Sequence, residues 1–172
     1  APHADGHRPY PGTCRGLPDA ERAARRGVRT PALRVDAAGA VVTVTDRWAG
    51  DVTAAVDDFV VRRNDGAFAY NLAVVVDDLA QGVTQVVRGE DLLTSSPRQA
   101  WLARTLGGSE PAYAHVGLVV NAEGRRLAKR DGAVTLADLA REGVPPDRVL
   151  ALLGSSLGLA DPTERVTPHV LL

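Results

Sequence analysis

Residues 84–108 read TQVVRGEDLLTSSPRQAWLARTLGG, and this stretch indicates the fold class. The run 84–88 is short and contains two adjacent valines, and we read it as a short buried strand. An acidic loop, Gly89-Glu90-Asp91, follows the carboxyl end of that strand. The stretch 95–106 then predicts a helix, with serine hydroxyls as a cap, an early proline and the glycine pair 107–108 as its stop. A strand, a loop and a capped helix in this order form half of an α/β unit.

The chain before this unit is mostly β in pattern. After a helix expected over 19–26, β-rich runs at 32–35 and 41–45 flank the glycine-containing stretch 36–39, which predicts a hairpin. A further strand is expected over 56–63, before a turn of the Asn-Asp-Gly type. These elements predict that the first third of the chain is mostly β-structure.

The patterns at residues 72–82 and 116–132 predict secondary structure less uniformly. The apolar run 72–76 fits a helix or a strand, because periodicity alone does not separate the two in so short a run. Gly82 is expected to end the element that contains it. A strand is expected over 116–120, and the stretch 121–132 is a polar, basic loop.

Two helices are expected near the end of the chain. Thr135 and Asp138 have the spacing of a capping arrangement, which predicts a helix that runs to Arg141. Pro145-Pro146 then precedes a helix whose apolar residues fall on one face. The end of the chain is therefore expected to be helical.

Composition narrows the class of protein. The 172 residues are 45% apolar, which is enough to bury a core, and the net charge of −1 disfavours nonspecific binding of long nucleic acids. Cys14 is the single cysteine, which excludes an intrachain disulfide and a metal site built from several cysteines of this chain. No apolar run approaches the roughly 20 residues that cross a bilayer, and no leader is visible. We therefore expect a cytoplasmic protein with no membrane partner.

Two positions combine charge with a suitable place in the fold. Arg88 ends a predicted strand, where α/β folds bind ligands, and its fork can hold a carboxylate. From the residues alone, a surface ion pair with the acidic loop is the favoured alternative. Lys129 is the only lysine of the chain and lies in the basic loop 124–132, which suits phosphate binding but also fits a solvated turn.

Several blocks together resemble one family. DFVVRRNDG at 58–66, YNLAVVVDD at 70–78, VRGEDLL at 87–93 and SPRQ at 96–99 are similar, in order and spacing, to glutamyl-tRNA synthetases and their short paralogues, the glutamyl-Q tRNA(Asp) synthetases. RLAKR at 126–130 resembles the second signature of class I aminoacyl-tRNA synthetases, with Ala128 in place of the usual serine. The phrase around Cys14 and the point where the chain ends favour the short paralogue.

The resemblance implies an architecture. We expect an α/β fold: the second half of a class I Rossmann-like domain at 69–119, after a β-rich acceptor-contact insertion at 1–68 and before a helical stem-contact region at 120–172. Without the first half of the parallel sheet, an exposed sheet edge and poor solubility are expected.

The resemblance also implies residue roles. Tyr70 and Arg88 match positions that contact glutamate. Tyr10 and Cys14 match half of a zinc site whose other two cysteines lie upstream in the family, so we expect zinc to bind weakly or not at all and Cys14 to be buried and inert. The resemblance also implies that the signature loop contacts ATP and that Lys129 is its catalytic cation. The expected ATP contacts are Arg126, Leu127, Ala128, Lys129 and Arg130.

The implied activity is that of a ligase. Glutamate would be activated with ATP, accompanied by Mg²⁺, and transferred to queuosine in tRNA(Asp), by a monomer when the protein is intact. The first ATP signature of the family is not in this sequence, so we expect a truncated chain that is inactive alone. Two alternatives stay open, a fragment of an ordinary glutamyl-tRNA synthetase and a non-catalytic tRNA-binding remnant.

Overall fold

The computed structural model describes residues 10–121, 123–126, 135–167 and 169. The chain divides into two compact units, the first ending at Gly117 and the second beginning at Leu118. Within the described ranges, no helix combines the length and the apolar character needed to cross a bilayer. The signature-loop residues 127–130 lie outside the described residues, so their expected role stays a prediction.

In the first unit one helix precedes four consecutive strands, after which helices and strands alternate, and two helices follow among the described residues of the second unit. The strands are β1 (Leu33–Arg34), β2 (Val41–Asp46), β3 (Gly50–Ala55), β4 (Val60–Arg62), β5 (Gln85–Gly89) and β6 (Ala112–Val116). The helices are α1 (Asp19–Val28), α2 (Tyr70–Gln81), α3 (Ser96–Thr105), α4 (Leu136–Arg141) and α5 (Pro146–Ser156). A 3₁₀ turn, Glu90–Ser95, joins β5 to α3.

The main sheet has the strand order β3-β2-β6-β5 and combines an antiparallel hairpin with a parallel pair. β5 and β6 run parallel from Gln85↔Ala112 to Gly89↔Val116, with α3 as their crossover. The hairpin β2–β3 joins them through a single parallel register pair, Asp46↔Tyr113. The predicted α/β class is confirmed, and the sheet spans both sides of residue 68; the expected boundary there stays a prediction.

The predicted hairpin between 32–35 and 41–45 is wrong. The intervening stretch does turn, since Ala40 N–H donates to Ala37 O at 2.9 Å, but the flanking strands diverge after it. β1 pairs antiparallel with β4, and β2 pairs with β3. β3 was missed because its sequence, GDVTAA, has few strong β-formers. The strand expected over 56–63 is shorter, because only Val60–Arg62 is paired as a strand.

One further strand lies at a different position from the expected one, and one run that the sequence left ambiguous is now assigned. The strand expected over 116–120 lies earlier, at Ala112–Val116, where the residues Tyr113, Ala114 and His115 are buried. The ambiguous run 72–76 is helical and lies within α2, which ends at Gly82 with φ of 67° as expected. The run forms a helix because α2 packs along α3 and buries Val75.

The second unit confirms the expected capping arrangement. Thr135 Oγ1 accepts a hydrogen bond from Asp138 N–H at 3.1 Å, and Asp138 Oδ2 accepts one from Thr135 N–H at 3.0 Å. This reciprocal pair satisfies two of the free donors at the start of α4. The hydrogen bonds from Thr135 hold the pKa of Asp138 below its usual value. α5 begins at Pro146, as the sequence predicts.

A buried ion pair ties the loop before β4 to α3. Arg98 Nη2 lies 2.8 Å from Asp57 Oδ1, and the two side chains are 11% and 6% exposed. The guanidinium also lies over the Phe59 ring, 5.4 Å from its centroid. A buried pair contributes little on balance, but removal of one partner leaves a charge in an apolar setting.

We predict that Asp57→Ala lowers the free energy of unfolding by about 3–5 kcal/mol, because Arg98 keeps its charge and loses its counter-ion. Urea unfolding followed by circular dichroism measures the change. The matched control is Glu21→Gln, which breaks the 2.7 Å pair with Arg25 on exposed α1 and should cost less than about 1 kcal/mol. Equal losses in the two variants would contradict the prediction.

Candidate functional site

The guanidinium of Arg88 is held at the carboxyl end of β5 by neighbours from the interior. Nε donates to His115 Nε2 at 2.9 Å, and Nη2 donates to Ser96 Oγ at 2.9 Å. A longer contact, 3.4 Å, joins Nη2 to the carbonyl oxygen of Leu92. The half-buried Arg88 therefore makes its hydrogen bonds inward, in contrast to the surface ion pair considered from the sequence.

Ser96 contributes its hydroxyl to the Arg88 site and not to a helix cap. It begins α3, where a serine hydroxyl was expected to cap the helix, but the helix shows no side-chain cap bond. The hydroxyl oxygen instead accepts the hydrogen bond from Arg88 and lies 3.4 Å from His115 Nε2. The expected hydroxyl cap is wrong because the N-cap residue, Ser95, has helical backbone angles (φ −83°, ψ −17°), whereas a capping residue normally has extended ones.

His115 links Arg88 to a buried carboxylate. Its Nδ1 lies 2.7 Å from Asp46 Oδ2, and both side chains are fully buried. Arginine only donates hydrogen bonds, so Nε2 must be the acceptor in its bond with Arg88. The ring is therefore the neutral tautomer with its proton on Nδ1, which donates to Asp46.

Asp46 accepts four hydrogen bonds, two at each oxygen. Oδ1 accepts from the backbone N–H groups of Trp48 and Ala49 at 3.0 and 2.9 Å, in the turn between β2 and β3. Oδ2 accepts from the backbone N–H and from Nδ1 of His115. Burial acts to raise the pKa of Asp46, but these hydrogen bonds outweigh it and hold the pKa below its usual value. Asp46 is thus a buried, ionised carboxylate.

Tyr113 lines the same region with an aromatic ring. Its ring stacks on that of His115, with centroids 6.2 Å apart, and the Arg88 guanidinium lies 5.8 Å from the Tyr113 centroid. Burial raises the pKa of Tyr113 to about 12, so the phenol stays neutral beside the arginine. The ring therefore adds cation–π attraction without a second negative charge.

The other residues expected at the site are less tightly placed. Tyr70 begins α2 and is 59% exposed; among the described residues no hydrogen bond or ring contact joins Tyr70 to Arg88. Arg126 forms an isolated antiparallel β-bridge with Val120 through the backbone, within the second unit. Thus the structure brings Arg88 together with Ser96, His115 and Asp46.

The expected zinc half-site is present as a pair of neighbours. The Tyr10 hydroxyl accepts a hydrogen bond from Cys14 N–H at 2.6 Å. Cys14 is exposed, so the expectation of a buried thiol is wrong. Over the residues that the structure describes, no group of three or more histidine, cysteine, aspartate or glutamate side chains is placed to hold a metal. Two donors do not fit zinc, which takes four.

Tyr10 and Cys14 lie at an arginine-rich cavity of about 780 Å³ next to α1 and β1. α1 buries none of its residues, and it carries both charges, as in the 2.7 Å pair of Arg25 with Glu21. Arginines from α1 and from the flanking segments line the cavity: Arg15, Arg22, Arg25, Arg26, Arg29 and Arg34. Asp36 and Asp58 line the cavity too, and Arg15 pairs with both, so the surface offers phosphates a mixed charge with arginines in excess.

Sequence reasoning missed Asp46 and His115, although one signal was available. Along β2, residues 42, 44 and 46 alternate with exposed residues and are all buried. A strict alternation of this kind predicts an aspartate on the core face, and a buried carboxylate needs partners. His115 gave no such signal, because its strand was expected a few residues later.

Comparison with solved structures defines the class of the fold. The chain matches glutamate-tRNA synthetase from Elizabethkingia anophelis with a TM-score of 0.64, over 92% of this chain and 37% of that one, at 24% identity. A glutamate tRNA ligase from Elizabethkingia meningosepticum, solved in complex with its amino acid, matches at 0.65, over 92% and 36%, again at 24% identity. The chain thus shares the fold of the matched part of these two structures.

The sequence comparison is more specific. The model of the family "tRNA synthetases class I (E and Q), catalytic domain" matches residues 8–165, and the chain belongs to this family.

Two similar curated proteins carry the name "Glutamyl-Q tRNA(Asp) synthetase". The protein from Nocardia farcinica is 62% identical over 151 residues, which cover 87% of this chain and 49% of that protein. The protein from Cutibacterium acnes is 50% identical over 169 residues, with 96% and 49% covered. The chain spans about half the length of these relatives.

We predict that Asp46→Asn lowers the free energy of unfolding by about 1–3 kcal/mol near pH 7, because an amide nitrogen cannot accept and leaves buried N–H donors without a partner. Since the pKa of Asp46 is lowered on folding, its contribution is present above the ordinary value of about 4 and is lost as pH falls through the folded pKa. The gap between wild type and variant should therefore narrow below about pH 4.

Urea unfolding at a series of pH values measures this gap. The control is Asp51→Asn, an exposed carboxylate in the same hairpin that accepts one hydrogen bond from Thr45 Oγ1 at 2.8 Å. It should change stability by no more than about 0.5 kcal/mol. A gap for Asp46→Asn that stays constant down to pH 2 would count against an ionised, buried Asp46.

Proposed function

We propose that this chain forms part of an enzyme that activates glutamate with ATP and transfers it to queuosine in tRNA(Asp). The observation that carries the proposal is the 62% identity with a glutamyl-Q tRNA(Asp) synthetase, a level at which shared chemistry is expected. A second support is the position of Arg88, whose guanidinium is held by hydrogen bonds at the carboxyl end of the parallel strand β5. That edge is where open α/β sheets bind their ligands.

Arg88 is the receptor for a carboxylate of glutamate in this proposal. Its Nε and Nη2 are engaged by His115 and Ser96, while Nη1 has no hydrogen bond among the described residues. A charge-assisted hydrogen bond to a carboxylate is about twice as strong as a neutral one. Tyr70, exposed at the start of α2, would add its hydroxyl and ring.

The signature loop is assigned to ATP by the same proposal. Lys129, with Leu127, Ala128 and Arg130, lies outside the described residues, and Arg126 is the described end of that loop. A lysine ammonium on a flexible stem suits the charge that develops as pyrophosphate leaves. Mg²⁺ would arrive bound to the ATP phosphates. Zinc has no part in the proposed steps.

The reaction proceeds in two steps. The glutamate carboxylate attacks the α-phosphorus of ATP, which gives glutamyl-adenylate and releases pyrophosphate. A hydroxyl of queuosine then attacks the activated carbonyl, and AMP leaves. The arginine-lined cavity at α1 is the surface that we assign to phosphates of the tRNA.

We expect glutamate-dependent exchange between ATP and pyrophosphate without tRNA, from a chimera in which this chain replaces the matching segment of the Nocardia farcinica relative. The physical reason is that the proposed acceptor takes no part in the first step. Radioactive pyrophosphate incorporation into ATP measures the exchange, and transfer is measured on tRNA(Asp) with and without queuosine. The chain alone, which we expect to be inactive, is the control.

Other outcomes identify other functions. Exchange that requires tRNA, with charging of a terminal ribose, would replace the proposal by an ordinary glutamyl-tRNA synthetase. A chimera that binds tRNA but gives no exchange would favour a non-catalytic tRNA-binding module.

We predict that Arg88→Ala in the chimera lowers kcat/KM for glutamate by about tenfold to a hundredfold, because a hydrogen bond to a charged group contributes about 1.5–3 kcal/mol. Pyrophosphate exchange at varied glutamate measures the effect. Arg47→Ala is the control, since Arg47 is exposed on the turn of the β2–β3 hairpin. An unchanged KM for glutamate in Arg88→Ala would remove the assignment of Arg88.

A further inference from the structure

A buried pair behind Arg88 has no part in the steps proposed above. The side chains of Asp46 and His115 are fully buried, so neither reaches a ligand bound at the strand end. We infer that Asp46 and His115 are positioning residues, which hold the Arg88 guanidinium so that Nη1 faces the carboxylate of the amino acid substrate. This inference rests on the assignment of Arg88 in the proposed function.

The geometry fixes one edge of the guanidinium and leaves another for a ligand. Nε and Nη2 lie on the same side of the group, and that side is held by His115 Nε2 and Ser96 Oγ, each at 2.9 Å. An arginine side chain loses much rotamer freedom when it is ordered. Because His115 and Ser96 order Arg88 before the substrate arrives, binding no longer bears that entropic cost.

His115 does this only as a neutral ring with a bare Nε2. A proton on Nε2 would point one N–H at the N–H of Arg88 and leave Arg88 Nε without its acceptor. Asp46 selects the neutral tautomer that Arg88 needs, because its Oδ2 accepts the hydrogen bond from Nδ1 at 2.7 Å and so places the single ring proton on that nitrogen. The same oxygen accepts His115 N–H at 3.0 Å, which fixes the ring relative to the backbone.

Asp46 is itself fixed by the hairpin turn. Its second oxygen accepts the N–H groups of Trp48 and Ala49, so the carboxylate cannot rotate without the loss of both bonds. The orientation of Arg88 thus derives from the backbone of the turn through two buried side chains. This rigid support is what a site needs in order to hold its contact group within a fraction of an ångström.

The test compares two substitutions of His115 in the chimera described above. His115→Leu removes the acceptor for Arg88 Nε, and we expect KM for glutamate to rise about tenfold or more while KM for ATP stays unchanged. His115→Gln returns an oxygen acceptor and should bring KM for glutamate closer to wild type. An unchanged KM in His115→Leu, or no difference between the leucine and glutamine variants, would overturn the inference.

Val44→Ala controls for general loss of stability. Val44 is 4% exposed on β2, on the same face as Asp46, and none of the described contacts of Arg88 involves it. The substitution should lower the melting temperature while KM for glutamate stays at the wild-type value. A rise in KM in this variant equal to that in His115→Leu would show that instability alone produces the effect, and would overturn the inference.

A double-mutant cycle separates this inference from the proposed function. If His115 acts through Arg88, His115→Leu should change KM for glutamate by no more than about twofold in an Arg88→Ala background. Additive effects would overturn the positioning role and leave Arg88 as the receptor. An Arg88→Ala variant with wild-type KM would remove the assignment of Arg88 and with it this inference, whereas the proposed function fails only if the chimera gives no glutamate-dependent exchange.

Nitrogen-15 NMR of histidine gives a readout that needs no activity. On the full 172-residue chain, His115 should show a protonated Nδ1 and an unprotonated Nε2 near pH 7. A proton on Nε2 would overturn the inference, because that nitrogen could then no longer accept from Arg88. The spectrum of Asp46→Asn should show a mixture of tautomers, since the amide can face Nδ1 with either of its ends.

Discussion

The carboxylate of Asp46 is the constraint on which the first unit depends. The β2–β3 hairpin meets the parallel pair β5–β6 at one backbone register pair, between Asp46 and Tyr113, with Arg47 N–H donating to Tyr113 O beside it. The four hydrogen bonds that Asp46 accepts reinforce this narrow junction from both sides. A buried charge is costly unless it is fully paired, and here every bond also fixes a strand or a turn.

This arrangement connects the architecture to the candidate site. The parallel pair places Arg88 and His115 directly opposite each other in register, which brings the two side chains to the same edge of the sheet. The helix that follows β5 adds the Ser96 hydroxyl from its first residue. The candidate site is therefore assembled from the ends of three neighbouring elements, β5, β6 and α3.

The sequence predicted the strand–loop–helix unit, the capping box and the end of α2 because each depends on local chemistry. The flanks of residues 36–39 were assigned to each other because they are near in sequence, whereas β1 pairs with β4, where Asp58 accepts Ala37 N–H at 3.1 Å and pairs with Arg15. Arg88 was singled out by its place and charge, and its expected contact with glutamate came from the family resemblance and stays a prediction. His115 was not singled out, since its partner lies 69 residues away and no local pattern reports such a contact.

The single register pair between β2 and β6 has a consequence for the order in which the protein folds. The hairpin and the strand–helix–strand unit each consist of contacts between residues close in sequence, and such contacts form early. The junction between Asp46 and β6 closes a long loop, which costs chain entropy, so this junction forms late in folding. A partly folded chain with both halves formed would therefore still lack an oriented Arg88. An ordered Arg88 guanidinium thus reports completion of the sheet.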